Sequence, residues 1–233
     1  KPDGTTYLVE MQGPDVYFTE FVNVDGLMSD GRSKLLPKLQ FTESEKPLVA
    51  QIWGKIPENY EKVAKQLIEM GFDAIDLNFG CPDKTIVKNG ACSALINDRE
   101  LAKQIIDATK KGLNGKLPLS VKTRIGFNSI DLSWIEFLLQ QNLDALYIHA
   151  RTRAEMSKVP NHWEVYEQII QMRDKIALNT LIIGNGDVAN RKHGEELAKK
   201  YKLDGVMIGR GVFADPFAFS NPLRLFRMSS SFL

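Results

Sequence analysis

The sequence predicts an α/β protein, a (β/α)8 TIM barrel that lacks its first strand. Short apolar runs rich in β-formers alternate with amphipathic segments, a pattern that gives βαβ units and a parallel sheet. The length of 233 residues suits one such barrel. Glycine-rich turns follow the last two apolar runs, as in phosphate-binding barrels. An open doubly wound sheet would instead carry its glycine-rich loop after the first strand.

Seven apolar runs have strand character, and several are apolar almost throughout, as expected of parallel strands covered on both faces. They are residues 16–19, 47–52, 74–78, 119–122, 145–149, 181–184 and 205–209. An eight-stranded barrel needs one more strand. The first strand is therefore either missing or replaced by residues 5–10.

Helices with readable ends lie between these runs. Residues 57–70 carry apolar side chains on one stripe, which predicts an amphipathic helix. Asn97, with Glu100 three residues later, predicts the N-terminal cap of a second helix, and Asp131 predicts that of a third. Residues 188–201 predict a fourth helix, which leads into the last strand.

Composition excludes several classes of protein. The hydrophobic fraction of 43% and the charged fraction of 25% are those of an ordinary globular protein. A net charge of +1 lacks the basic excess of a dedicated nucleic-acid module, and no apolar run approaches the ~18 residues of a membrane span. The three histidines have no metal-binding spacing, and two cysteines make no disulfide framework. We expect a monomer in a reducing cytoplasm, with neither a metal nor a membrane as partner.

Both ends of the chain suggest truncation. The chain opens on Lys1, and its last residues show no helix or strand pattern. We therefore expect one catalytic barrel domain over residues 1–220, incomplete at its N-terminus, and a non-native or disordered tail over residues 221–233.

Polar residues collect at the carboxyl ends of the predicted strands, where barrel enzymes carry their active sites. They are Gln51, Asn78, Cys81, Lys122, Arg124, His149, Arg151, Asn185, Asp187 and Arg210. Each residue is ordinary by itself, and it is their shared position that indicates a site.

The clearest of these positions is Cys81. Gly80 and Pro82 favour a tight turn that would hold its thiol above the barrel. A thiol with a pKa of ~8.5 is mostly protonated at neutral pH, so it can act as a general acid or as a nucleophile. The alternative is a buried small apolar residue, as most free cysteines are. Cys92 has no comparable turn around it.

Basic residues and glycines at the other strand ends indicate an anionic ligand. Lys122 interrupts an apolar strand, which calls for an anion or an electron-rich ring as partner, or for an ion pair with Asp76 or Asp187. The sequences 184–187 (GNGD) and 209–211 (GRG) let backbone N–H groups approach an anion, unless they are plain connecting turns. A cluster of three basic residues lies at the end of another strand: His149, Arg151 and Arg153.

These residues together resemble the tRNA-dihydrouridine synthases over most of the chain. Two sequences are specific, residues 78–82 (NFGCP) and residues 184–187 (GNGD). Others support them: residues 16–21, 50–54, 121–126, 148–151 and 209–211.

The resemblance implies an FMN-dependent enzyme that reduces uridine in tRNA to 5,6-dihydrouridine, with NADPH or NADH as reductant. It makes Cys81 the proton donor to C5 after hydride reaches C6. It assigns as flavin contacts Gln51, Lys122, His149, Asn185, Gly186, Asp187, Gly209 and Arg210. Asn78 with Arg151 or Arg153 would contact the uracil, which must leave its stack to reach the site. The family's first strand and its C-terminal helical domain have no counterpart here.

Three other interpretations stay open at this stage. The first is an FMN barrel acting on a free pyrimidine, as a dihydroorotate dehydrogenase does. The second is an inactive, flavin-free barrel fragment that binds RNA or a protein through Arg151, Arg153 and Lys158. The third is a phosphosugar enzyme, for which Glu20 is the obvious acid-base group.

Overall fold

The computed structural model describes residues 7–9, 13–220 and 225–227. Its strands are β1 (Tyr7–Val9), β2 (Tyr17–Phe18), β3 (Val22–Asn23), β4 (Leu48–Trp53), β5 (Ala74–Asn78), β6 (Leu119–Arg124), β7 (Ala145–His149), β8 (Leu181–Asn185), β9 (Gly205–Met207) and β10 (Leu225–Arg227). Its helices are α1 (Val24–Leu27), α2 (Arg32–Leu35), α3 (Pro57–Glu69), α4 (Lys84–Lys88), α5 (Arg99–Leu113), α6 (Leu132–Leu139), α7 (Val165–Ile176), α8 (Arg191–Tyr201) and α9 (Gly211–Ala214). Short 3-10 turns lie at Leu36–Leu39, Glu43–Glu45 and Cys92–Asn97.

One parallel sheet organises the chain, in the order β2–β4–β5–β6–β7–β8–β9. The strand β3 also pairs with β4, further along it than β2, so these two short strands share one interrupted edge position. All seven predicted runs are thereby confirmed as strands. Within residues 13–220 no ladder joins β9 to β2, so the sheet is an open barrel segment with one strand position unfilled. This matches the predicted barrel without its first strand.

Residues near the N-terminus do not fill that position. The strand β1 pairs antiparallel with β10, with Tyr7 opposite Arg227, and neither strand joins the parallel sheet. Of residues 5–10, the described ones therefore do not replace the first strand. The predicted tail over residues 221–233 lies outside the described residues except for β10, so its character stays a prediction.

The helix ends agree with the sequence in part. The helix α3 begins at Pro57 as predicted, and Asp131 caps α6 by accepting from the N–H of Ser133 at 3.1 Å. The cap predicted at Asn97 is wrong, because Asn97 is the last residue of a 3-10 turn. Asp98 caps α5 instead, accepting from the N–H of Leu101 at 3.1 Å.

The last long helix also begins later than predicted. Asn190 is its N-cap and accepts from the N–H of His193 at 3.0 Å, so α8 starts at Arg191. Val188 and Ala189 lie in the turn after β8 and form part of the cavity wall described below.

The core lies between the sheet and the helices that cover its outer face. Trp134 of α6 is fully buried and donates from Nε1 to Oγ1 of Thr123 in β6 at 2.8 Å. On α3 four residues of the predicted stripe are buried and Ile68 is partly buried; the buried ones are Tyr60, Val63, Ala64 and Leu67. None of the helices among the described residues has both the length and the apolarity needed to span a bilayer.

Candidate active site

A cavity of about 570 Å³ opens at the carboxyl ends of β6 to β9, within the size range of small-molecule sites. Its walls are Lys122, Arg124, His149, Ser157, Asn185, Gly186, Asp187, Val188, Ala189, Met207, Gly209, Arg210 and Gly211. Seven of the eight flavin contacts that the resemblance implies are among these residues. The eighth, Gln51, lies in an adjoining hydrogen-bonded network.

That network is centred on Asp76, which is fully buried in β5. Its carboxylate accepts from Nε2 of Gln51 at 2.8 Å and from Oγ of Ser120 at 2.7 Å. Gln51 in turn accepts from Nδ2 of Asn78 at 3.0 Å. These bonds join β4, β5 and β6, and they fix the side chains of Gln51 and Asn78 at the carboxyl edge of the sheet.

Burial makes the ionised form of the Asp76 carboxyl energetically unfavourable at neutral pH. Desolvation raises its pKa to about 6, although the hydrogen bonds from Ser120 and Gln51 and the charge of Lys122 oppose that rise. When the pKa of a carboxyl is higher in the folded than in the unfolded protein, the group favours folding most at pH values below the unfolded pKa. That favourable contribution is lost as the pH rises from about 4 to about 6, which lowers the free energy of unfolding by about 3 kcal/mol.

Replacing Asp76 with asparagine should remove this pH dependence. We expect the stability difference between Asp76→Asn and wild type to shift by about 3 kcal/mol in favour of the variant between pH 4 and pH 7. Urea denaturation at each pH measures it, with the exposed Asp30→Asn as control. A difference that stays constant across this range would contradict the assignment.

Lys122 joins three strands at the floor of the cavity. Its Nζ donates to Oδ1 of Asn185 at 3.0 Å, and Nδ2 of Asn185 donates to the carbonyl of Met207 at 3.0 Å. Burial lowers the pKa of Lys122 to about 8, and the nearby Asp76 opposes this shift. The group is still mainly cationic at neutral pH. It offers the cavity a half-buried positive charge that makes no direct ion pair with Asp76 or Asp187.

His149 is a neutral hydrogen-bonding group in this site. Burial and the charges of Arg124 and Lys122 lower its pKa to about 2. Its Nε2 lies 3.3 Å from Nη1 of Arg151, and a guanidinium nitrogen can only donate a hydrogen bond. The Nε2 atom therefore accepts, and the proton resides on Nδ1.

Arg151 lies behind the cavity wall and is only 3% exposed. Its Nη1 donates to Oδ1 of Asp187 at 3.1 Å, its Nη2 donates to Oδ2 of the same carboxylate, and its Nε donates to the carbonyl of Val159 at 2.7 Å. The guanidinium is thus occupied by the protein. Arg210 also reaches Asp187, at 3.5 Å, but its side chain is 69% exposed at the cavity mouth.

Arg153 is placed away from these groups. Its guanidinium lies over the ring of Phe127 at 5.2 Å from the centroid, and it does not line the cavity. The three residues predicted to contact a base are therefore not brought together on one open surface. Their role in substrate binding stays a prediction.

The tight turn predicted around Cys81 is present. Oδ1 of Asn78 accepts from the N–H groups of Gly80 at 3.1 Å and Cys81 at 3.0 Å. The Cys81 side chain is half-buried, close enough to Lys122 and Arg124 to feel both charges. The turn therefore presents the thiol beside the cavity.

Arg124 holds this turn against the next loop, a role that no pattern in the sequence predicts. Its Nε donates to the carbonyl of Gly80 at 2.8 Å, and its Nη1 donates to the carbonyls of Thr152 and Met156 at 3.0 Å. The side chain is only 5% exposed. A charged residue at the end of an apolar strand was the available signal, but the carbonyls that it binds cannot be read from the sequence.

The two glycine turns form one face of the cavity. A β-carbon on Gly209 would meet no atom within 4 Å, so the space above its backbone is open. Gly186 has φ +116°, a conformation that favours glycine, and lies against Asn161, another residue without a sequence signal. The backbone N–H groups of Gly186, Gly209 and Arg210 donate to no other residue of 13–220. They are free to bind an anion.

A comparison with known protein families gives a match that includes all the residues of this site. The model of the dihydrouridine synthase (Dus) family matches residues 5–229. The chain belongs to the dihydrouridine synthase family. This membership agrees with the resemblance carried by residues 78–82 and 184–187.

Curated relatives of this Dus chain are similar over most of its length. It is 49% identical over 218 residues to the "Probable tRNA-dihydrouridine synthase" of Staphylococcus aureus (strain COL), covering 92% of the chain and 66% of that protein. It is 46% identical over 209 residues to the "Probable tRNA-dihydrouridine synthase 2" of Bacillus subtilis (strain 168), covering 88% and 63%. The Dus chain thus spans about two thirds of the length of these relatives.

Solved structures support the fold of the Dus chain. A histamine dehydrogenase from Rhizobium sp. 4-9 superposes with a TM-score of 0.60 at 12% identity, covering 88% of the chain and 40% of that structure. A DHODH from Eimeria tenella, in complex with ferulenol, gives 0.53 at 14% identity, covering 79% and 60%. At these identities the likeness concerns the fold alone.

Proposed function

We propose that this chain is the catalytic barrel of an enzyme that reduces a uridine of tRNA to 5,6-dihydrouridine, with FMN as cofactor and NADPH or NADH as reductant. The observation that carries the proposal is a thiol held on a tight turn beside a cationic, glycine-walled cavity. Membership of the dihydrouridine synthase family and the names of the relatives support it. A tRNA substrate also favours the cytoplasm expected from the free cysteines.

The residues of the cavity fit FMN. Free N–H groups of Gly186 and Gly209, with the exposed guanidinium of Arg210, suit a phosphate. The cation of Lys122 suits the edge of the flavin ring that gains negative charge on reduction. Neutral His149 adds a polar group without adding charge. FMN, when bound and reduced, supplies the hydride for C6 of the uracil.

Cys81 supplies the proton that completes the reduction. Its S–H bond breaks, a C–H bond forms at C5, and the electron pair of the S–H bond stays on sulfur. The charges of Lys122 and Arg124 stabilise the thiolate that results. Water then returns a proton to the sulfur between turnovers.

We propose that the uracil base is also recognised at the carboxyl edge of the sheet. Asn78 is adjacent to Cys81, but both ends of its amide are bound, to Gln51 on one side and to Gly80 and Cys81 on the other. We therefore propose that Asn78 orients the thiol, and contacts a base only through a lone pair that these bonds leave free. Arg151 and Arg153 stay proposed contacts, with Arg151 acting through the group that it holds, Asp187.

Filling the space above Gly209 should block the cofactor without disturbing the fold. We expect Gly209→Val to lose flavin affinity by at least tenfold, because the new side chain projects into open cavity space. Quenching of flavin fluorescence on titration measures the affinity, and thermal unfolding checks the fold. Unchanged flavin affinity would place the cofactor elsewhere.

Detection of the reaction product, dihydrouridine in tRNA, tests this proposal. The full chain, with FMN and NADPH, is incubated with unmodified tRNA, and the nucleosides are then analysed by mass spectrometry for a gain of two hydrogens on uridine. Dihydrouridine in the tRNA supports the proposal. Reduction of orotate or free uracil instead would favour the free-pyrimidine enzyme. Tight tRNA binding by a colourless protein without reduction would favour an inactive binding module.

A further inference from the structure

Two arginines approach one carboxylate at the mouth of the cavity. Arg151 donates from Nη1 to Oδ1 of Asp187 at 3.1 Å and from Nη2 to Oδ2 of the same residue. Arg210 makes one longer contact, with its Nη2 3.5 Å from Oδ1 of Asp187. The Arg151 side chain is 3% exposed, whereas that of Arg210 is 69% exposed. The buried arginine therefore binds both carboxylate oxygens, while the exposed one stays available at the mouth.

Arg151 is held in place by the strand and the loop around it. Its Nε donates to the carbonyl of Val159 at 2.7 Å, and its Nη1 also lies 3.3 Å from Nε2 of His149. Asp187 has a φ of +52°, in the left-handed region, which is unfavourable for a residue with a side chain. A bidentate pair between a guanidinium and a carboxylate fixes the geometry of both groups. Arg151 thus holds the Asp187 carboxylate at a defined place beside the cavity.

The charges of these three side chains favour an anion at the cavity mouth. With two guanidinium groups and one carboxylate, they carry a net positive charge. Because Arg151 binds both oxygens of Asp187, the charge without a close partner is that of Arg210. The N–H groups of Gly186 and Gly209, which donate to no other residue of 13–220, belong to the same cavity wall. Without Arg151, the Asp187 carboxylate would pair with Arg210 and repel an incoming phosphate.

We propose that Arg151 is a positioning residue for the cofactor phosphate, because it binds Asp187 and so keeps the Arg210 guanidinium free for that phosphate. This inference rests on the proposed function, in which FMN occupies the cavity. Arg151 lies behind the cavity wall and acts through Asp187, so its effect is confined to the phosphate end of the ligand. Riboflavin has the ring and the ribityl chain of FMN but no phosphate. The ratio of the two affinities therefore separates the action of Arg151 from a general effect on the fold.

The test is the preference of the full chain for FMN over riboflavin. Flavin is removed from wild type, Arg151→Met and Arg210→Ala, and quenching of flavin fluorescence on titration gives both dissociation constants for each protein. In Arg151→Met the preference for FMN should fall by about tenfold or more, while riboflavin affinity stays within about threefold of wild type, because only a charged contact to the phosphate is lost. Arg210→Ala removes the phosphate partner itself and should lower the preference by a similar factor.

Two variants without the carboxylate distinguish this role from a structural one. The double variant Arg151→Met, Asp187→Asn leaves nothing to capture Arg210, so it should regain most of the preference for FMN. Asp187→Asn alone keeps the buried arginine and should prefer FMN at least as strongly as wild type. This single variant tests the proposal even if Arg151→Met does not fold, which thermal unfolding shows.

Three results would overturn the proposal: an unchanged preference in Arg151→Met, a double variant no better than Arg151→Met, or a preference lost in Asp187→Asn. If wild type prefers FMN and any of these results is found, only this inference fails and the cofactor assignment stands. If wild type binds riboflavin as tightly as FMN, the phosphate site of the proposed function is wrong, and this inference fails with it.

Discussion

Replacing Cys81 with alanine is expected to lower the rate of dihydrouridine formation by about 10²- to 10⁴-fold, the usual contribution of a positioned general acid. The turn that holds the thiol is formed by the side chain of Asn78 and the backbone of Gly80 and Cys81, so it survives the loss of the sulfur. Rapid-quench assays with unmodified tRNA measure the rate. The flavin spectrum and flavin affinity should not change.

A serine at this position provides the matched control. Cys81→Ser keeps the size and one proton of the side chain, but a hydroxyl is a far weaker acid than a thiol. Its rate should therefore lie close to that of the alanine variant. Full activity in both variants would contradict the assignment of Cys81 as proton donor.

Removing Arg124 is expected to cost about 3 kcal/mol or more of the free energy of unfolding. Arg124→Ala leaves two buried carbonyl groups, those of Gly80 and Thr152, without their donor, and each such loss costs roughly 1–3 kcal/mol. Urea denaturation monitored by tryptophan fluorescence measures the change. Because the Gly80 bond anchors the Cys81 turn, activity at a permissive temperature should fall as well.

Two variants show whether geometry or charge matters at this position. Arg124→Lys keeps the cation but cannot span three carbonyls with one ammonium group, so it should recover only part of the stability. Arg99→Ala removes a partly exposed arginine that is paired with Asp131, and it should cost less than about 1 kcal/mol. Equal losses in Arg99→Ala and Arg124→Ala would contradict the account of the Arg124 contacts.

The sequence predicts the sheet well because strand burial is a local property. Runs such as residues 74–78 and 145–149 are mostly apolar, with Asp76, Asn78 and His149 as the polar exceptions, which is typical of a buried parallel strand and not of a surface loop. The cap at Asp131 was predictable for the same reason, since a cap contacts only the next turn of chain. The error at Asn97 arose where two adjacent residues can both cap and a 3-10 turn decides between them.

The contacts that organise the site are distant in sequence, so no local pattern reveals them. Arg151 meets Asp187 across 36 residues, and Arg124 reaches Met156 across 32. The sequence could place each arginine at a strand end, but it could not show that protein groups already occupy both guanidinium groups. The same holds for Ser93, whose Oγ donates to the carbonyl of Cys81 across 12 residues because two turns fold against each other.

The central claim is that a reduced flavin in this barrel passes its hydride to a tRNA uridine. An anaerobic single turnover tests it most directly. The full chain is loaded with FMN, reduced with NADPH, freed of excess reductant and mixed with unmodified tRNA. We predict that the oxidised flavin spectrum returns with one dihydrouridine formed per flavin. A flavin that stays reduced with tRNA, but is reoxidised by orotate or free uracil, would contradict the account.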